Sequence, residues 1–312
     1  MPLRPLGVGE LLDGALGLIR SNPRTVLGLA AAISAVSALI QTVGVWIGLS
    51  ALGATSVSLT GSGTLSTDLT ALTASSAAQL VPALIAGFLQ VLASGLFIVL
   101  VGAAVLGRRL DAGQTWAELR PRLLALIAVS LLVFLGVLAV IAVLVGGVIG
   151  LVAAFGEWAA LPGVLLVLAG GVAAVYAYVR LALASPALVM EGLGPMASLR
   201  RSWRLVRGSW WRVAGILLLA AIITNLLTTI VSVPLSLVAA VVTGVSESML
   251  PTVLAAGLAT LLAGIVTLPF TAAVTGLLYT DLRMRREALD IELVSAGVDP
   301  QADPLAAYRR GR

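Results

Sequence analysis

Cysteine, histidine and lysine are all missing from this chain. Without cysteine there is no disulfide, no thiolate nucleophile and no thiolate metal cluster. Without histidine, the commonest general base near neutral pH and the commonest metal ligand are gone. Charge is scarce too: 11% of residues are ionic, against about 25% in a soluble domain. The sequence also has no Walker loop, no GxSxG elbow, no metal-ligand spacing and no paired carboxylates within an apolar segment. These absences leave no catalytic set to build an enzyme on. The sequence implies no cofactor and no metal.

What the chain has instead is hydrocarbon. Of 312 residues, 60% are hydrophobic, and the mean hydropathy is +1.10. A membrane helix needs about 20 apolar residues, and six segments qualify: about 25–51, 77–106, 123–153, 162–185, 213–241 and 252–279. The expected fold class is all-α, a polytopic membrane protein. Trp46 and Glu157-Trp158 sit where an aromatic anchor belongs at an outer interface. The Ser/Thr/Gly-rich segment 54–76 reads as an exposed mobile loop.

All 19 basic residues are arginine. With so much Ala, Val, Leu and Gly, this composition suits a GC-rich bacterial genome. Every arginine falls before span one, between spans two and three, at or after the inner end of span four, or after span six. The intervening loops hold only acids, Asp68, Glu157 and Glu247. The positive-inside rule then places both termini in the cytoplasm of a bacterial inner membrane. It also explains a pI near 10.6 without any nucleic-acid partner.

Short amphipathic helices are expected on the arginine-rich side. Val8, Leu11, Leu12, Ala15, Leu16 and Ile19 form one helical stripe, closed by Pro23. Thr115 and Glu118 have capping-box spacing for a second such helix, with Arg120-Pro121-Arg122 turning the chain into span three. The turns NPRTVLG, RPRLLAL and WWRVAGI recur, which suggests a threefold repeat of surface helix and hairpin over about 1–106, 107–189 and 190–282. The organisation expected is one membrane domain, 1–294, and a polar tail, 295–312. From Asp281 onward, DLRMRREALDIEL reads as a separate charged helix.

The densest run of charge and tryptophan is PALVMEGLGPMASLRRSWRLVRGSWWR, residues 186–212. Pro195 and Gly208 bracket a helix, with Met196, Leu199, Trp203 and Val206 as its apolar stripe and Arg200, Arg201, Arg204 and Arg207 on other faces. Trp210 and Trp211 suit the headgroup level. Ordinary positive-inside anchoring explains this set, and so does a site for a lipid headgroup or a phosphorylated ligand. A salt bridge from Glu191 to Arg200 or Arg201 would fasten the helix. Arg180, near the inner end of span four, either snorkels to the interface or is buried towards Glu191 or a substrate. Gln41, Gln90 and Asn225, the amides within spans, serve as interhelical hydrogen bonds or line a polar cavity. Gly146 and Gly150, with Gly163, Gly170 and Gly171, allow close helix contact, and Pro234 and Pro269 interrupt the last hairpin.

The central run resembles a known family in its pattern PALV-x-E, then GP-x-x-A/S-L-R-R-S-W, then a tryptophan-rich turn into a span. That family is the glycerophosphoryl diester phosphodiesterase membrane-domain family of bacterial multi-pass proteins. RPLGVGELLDGALGLIRSNP and LLYTDLRMRREALDIEL resemble its ends. In relatives fused to a soluble phosphodiesterase, catalysis uses histidine and a divalent metal. The resemblance therefore does not carry that activity to a chain without histidine.

Two functions stand as expectations. One is a non-enzymatic membrane protein that meets anionic headgroups, another membrane protein or itself through the basic surface helix. The other is a transporter or flippase for a lipid or glycerophosphodiester-like solute, which calls for a cavity lined by Arg180, Gln41, Gln90 or Asn225.

Overall fold

The computed structural model describes residues 7–54, 66–105, 111–246 and 250–287. It is helical throughout, with no strand among the described residues. In chain order the helices are α1 (Val8–Ser21), α2 (Pro23–Ala54), α3 (Ser66–Val105), α4 (Ala112–Leu119), α5 (Leu123–Phe155), α6 (Ala160–Leu181), α7 (Ala184–Glu191), α8 (Pro195–Val206), α9 (Trp210–Ser246) and α10 (Leu250–Glu287). Six of them, α2, α3, α5, α6, α9 and α10, are long and apolar enough to cross a membrane. The chain is an all-α polytopic membrane protein, and its order runs short, long, long from α1, from α4 and from α8.

Large apolar side chains on α5, α6 and α9 face outward, among them Leu124, Val172 and Val241. Water would penalise each such side chain by about 1.5–3 kcal/mol; hydrocarbon does not. That sets the solvent.

Several boundaries differ from the sequence reading. α3 starts at Ser66, so the second half of the expected loop 54–76 is helix; residues 55–65 lie outside the described residues. The N-cap of α4 is Asp111, whose backbone N–H donates to Gln114 Oε1 at 3.1 Å, not Thr115. Thr115 lies one turn in, with its hydroxyl on the Asp111 carbonyl at 2.8 Å. α10 continues through Asp281 to Glu287 without a break, so no separate helix begins there. Residues 288–312, including the expected tail, lie outside the described residues. Pro234 and Pro269 sit inside unbroken helices.

The contacts divide the chain into two compact units, each built from separate stretches. The first comprises residues 1–18, 94–220 and 272–312. Its core is Phe97 to Val101 of α3, Leu126 and Val129 of α5, Leu188 to Met190 of α7, and Leu277 and Leu278 of α10. Gly276 lets Val101 within 3.1 Å of where its Cβ would stand. Where α5 meets α6, the close approach is made by Gly147 against Leu166 and Gly170 against Leu144. Gly146, Gly150, Gly163 and Gly171 meet no side chain, which corrects four of the five glycines expected there.

The second unit comprises residues 19–93 and 221–271. In it α2 and α10 run antiparallel: Gly257 abuts Thr42 and Gly264 abuts Ser34, so one number rises as the other falls. A Cβ at either glycine would overlap the facing hydroxyl.

Candidate functional site

Residues 186–212, read above as one surface element, fold as two helices with different roles. α7 is buried along its length, Glu191 included. It ends at Gly192, whose φ of 68° is the left-handed conformation glycine adopts without strain. The Val189 carbonyl, one of the orphans at this helix end, accepts from Arg122, itself buried. A buried arginine thus caps α7.

α8 packs inward through Ser198, Ser202 and Leu205, with Val206 at its end. The small serines allow close approach: Ser202 Oγ donates to the Arg180 carbonyl at 2.6 Å, and Ser198 Oγ to Pro195 O at 2.7 Å. Of the expected apolar stripe, Val206 is buried while Met196 and Trp203 are exposed, with Arg200, Arg204 and Arg207 around them. Met196, Arg200 and Trp203 are spaced 4 and 3, a single outward stripe that mixes apolar and basic groups.

Arg201 alone among these arginines turns in. Its Nη2 lies 2.9 Å from Glu191 Oε1 and its Nε 3.1 Å from the same oxygen. Glu191 also accepts from the buried Tyr279 hydroxyl and pairs with the buried Arg283, Nε to Oε1, at 3.5 Å. Two turns of α10 thereby clasp α7 and α8. A second node repeats the arrangement. Asp281, fully buried, takes Arg212 Nη2 at 3.0 Å and Arg285 Nε at 2.9 Å. Each buried carboxylate is flanked by two guanidiniums, as the desolvation of a buried charge demands.

Arg180 is 9% exposed and does not snorkel. Its Nη1 donates to the Trp203 carbonyl at 3.0 Å, one of the orphan acceptors at the end of α8. Its Nε donates to the Tyr176 hydroxyl at 3.1 Å. The guanidinium carbon stands 5.0 Å from the ring centroids of both Tyr176 and Trp203. Trp210 stacks on Tyr176 at 5.8 Å, while Trp211 is 83% exposed. Arg180 is buried, then, but its partners are a helix end and aromatic rings and not Glu191.

The sequence reading missed Arg122, Arg212, Tyr279, Asp281 and Arg283. Spacing offered one hint, since Tyr279 to Arg283 and Asp281 to Arg285 are each four residues apart on one helix. Of the intramembrane amides, Gln41 and Gln90 line one cavity of the second unit. Asn225 does not; its Nδ2 donates to the Ala221 carbonyl of its own helix at 3.1 Å.

No curated protein and no solved structure matches the chain. The comparisons supply no link to the glycerophosphoryl diester phosphodiesterase membrane-domain family. A family model does match, over residues 6–282. By that match this membrane protein belongs to the family described as a domain of unknown function, DUF7847.

Proposed function

We propose that this is a non-enzymatic membrane protein that holds anionic lipid headgroups against the outward face of α8. The observation that supports it is the division of labour among four arginines on one short helix. Arg201 is spent on Glu191, whereas Arg200, Arg204 and Arg207 stand exposed beside Met196 and Trp203. The first ties α8 to α7, and among the described residues no side-chain hydrogen bond or ion pair is seen for the other three. An outward face with methionine and tryptophan among guanidiniums matches the boundary where acyl chains meet headgroups. Trp211 extends the same chemistry to the start of α9.

Each basic side chain near an anionic surface contributes about 1 kcal/mol. Three together supply about 3 kcal/mol, close to a hundredfold in affinity. The arginine distribution supports a cytoplasmic position for this face in a bacterial inner membrane. Kinship with the glycerophosphoryl diester phosphodiesterase membrane-domain family rests on the motif of residues 186–203.

The test is retention of phosphatidylglycerol by the purified full chain, read by native mass spectrometry. The triple variant R200Q/R204Q/R207Q should lose bound phosphatidylglycerol and keep its unfolding temperature. Equal retention by wild type and variant would sink the proposal.

A further inference from the structure

The second unit contains a cavity of about 360 Å³ between α2, α3, α9 and α10. That volume lies at the small end of the ligand-pocket range of about 300–1,000 Å³. It is open to the surface of the unit, where Gln90 and Thr228 are exposed. Its polar groups come in helical register. α2 supplies Ser34, Ser37 and Gln41, spaced 3 and 4, and α3 supplies Gln90. Facing them, α10 contributes Thr260 and Thr267 and α9 contributes Thr228. No charged side chain lines the cavity among the described residues.

The hydrogen-bond inventory states what such a lining can hold. Thr228 donates to Thr224 O at 2.9 Å, Thr260 to Ala256 O at 3.0 Å and Thr267 to Ala263 O at 3.0 Å. Each threonine has spent its only proton, so what it offers is lone pairs. Ser34 is 1% exposed, and its Oγ has no hydrogen-bond partner among the described residues. The two glutamines add two amide donors and a carbonyl each. These groups lie in helices that cross hydrocarbon, where unsatisfied polar groups are penalised most.

We infer that this cavity binds an uncharged polyhydroxyl group. Acceptor lone pairs on the threonines take hydroxyl protons, and Gln41 and Gln90 serve the ligand's oxygens. The lining offers an ionic headgroup no counter-charge, so a neutral group suits it better. The site is thus chemically opposite to the basic face of α8 and independent of it. The polyhydroxyl group arrives either as the head of a neutral lipid or as a free polyol. Gly87 lines the cavity too, and a Cβ placed there would stand in open space.

The experiment uses the full chain in phosphatidylcholine nanodiscs, prepared without sugar detergents. Monooleoylglycerol in the bilayer and glycerol in the buffer are the two probes, and native mass spectrometry and thermal shift are the readouts. Saturable binding of either probe to wild type is expected, with at least a tenfold loss in Q41L/Q90L. Gly87→Leu, which puts a side chain into the open space, should abolish binding while the unfolding temperature holds or rises. R200Q/R204Q/R207Q should bind as wild type does, so failure of the headgroup proposal is read separately. Binding of monooleoylglycerol alone assigns the site to a lipid head, and binding of glycerol alone or of both to a polyol. Absence of both, equal binding by Gly87→Leu, or competition by phosphatidic acid, whose head is a bare phosphate, overturns the inference.

Discussion

Arg201 leaves the face of α8 on which Arg200 and Arg204 stand and bonds Glu191, Nη2 to Oε1, at 2.9 Å. Ten residues of sequence and one glycine turn separate the two. Glu191 in turn holds Tyr279, which is 88 residues away. One carboxylate therefore ties three helices of the first unit. Removing it would take from Arg201 and Arg283 the buried carboxylate they share.

Glu191→Gln is expected to destabilise strongly, by about 3–5 kcal/mol, the range for breaking a buried pair from one side. Tyr279→Phe, which removes one hydrogen bond and no charge, should cost about 1 kcal/mol. Denaturant unfolding in detergent checks both. A Glu191→Gln protein as stable as Tyr279→Phe would show that the carboxylate carries no more than a neutral acceptor does.

Arg201→Gln and Arg204→Gln should part company. The first lowers stability by about 2–4 kcal/mol through loss of a charged, mostly buried partner. The second leaves the unfolding curve alone and weakens binding to phosphatidylglycerol vesicles about fivefold. Raising the salt concentration should shrink the Arg204 effect, since exposed charges are screened within about 10 Å at 0.1 M. The Arg201 effect should persist. The same two numbers in both assays would mean that the helix does not divide its arginines.

How much of this was legible beforehand depended on the range of each interaction. The six long helices followed from apolar run length, a local property that the membrane enforces. Their ends did not. Asp281 and Arg283 looked like the close of span six, because hydropathy counts a charge as water-seeking whether or not another charge neutralises it. The packing face of α8 was not legible for a related reason: Ser198 and Ser202 score as polar, yet their small size and short hydroxyl bonds place them there. An ion pair from Glu191 was foreseeable within its own motif. The choice of Arg201 over Arg200 was not, because the helix rotation decides it. Ser34, Ser37 and Gln41 stood at helical spacing in plain view, but only their encounter with Thr260 and Thr267 some 220 residues later makes a cavity.

Arg180→Met removes the donor to the Trp203 carbonyl and a cation between two rings. A charged hydrogen bond contributes about 1.5–3 kcal/mol and a desolvated cation–π contact about 1–2 kcal/mol, so a loss of roughly 2–4 kcal/mol is expected. Arg180→Lys should recover less than half. A lysine ammonium cannot reach the carbonyl and the Tyr176 hydroxyl in the fixed fork that a guanidinium presents. Limited proteolysis at the α8–α9 turn near Gly208 is the companion measurement, with faster cleavage expected in Arg180→Met. Full rescue by lysine would reduce the role of Arg180 to that of a point charge.

The helix contacts of the second unit make the last prediction. Gly257 and Gly264 are seven residues apart on α10 and face Thr42 and Ser34, so both glycines lie on the seam with α2. In a membrane, apolar burial gives helices little reason to associate, and close packing of small residues must supply it. Leucine at Gly264 would have to displace Ser34 and the backbone behind it, since the Ser34 Cβ also lies 3.0 Å from the added atom. Overpacking of this kind costs about 1–3 kcal/mol. Gly28→Leu is the control, because a side chain there meets no protein atom and leucine favours the helix over glycine. Thermal unfolding in nanodiscs should fall for Gly257→Leu and Gly264→Leu and hold or rise for Gly28→Leu. If all three behave alike, α2 and α10 are not held by this seam, and the cavity it borders loses its wall.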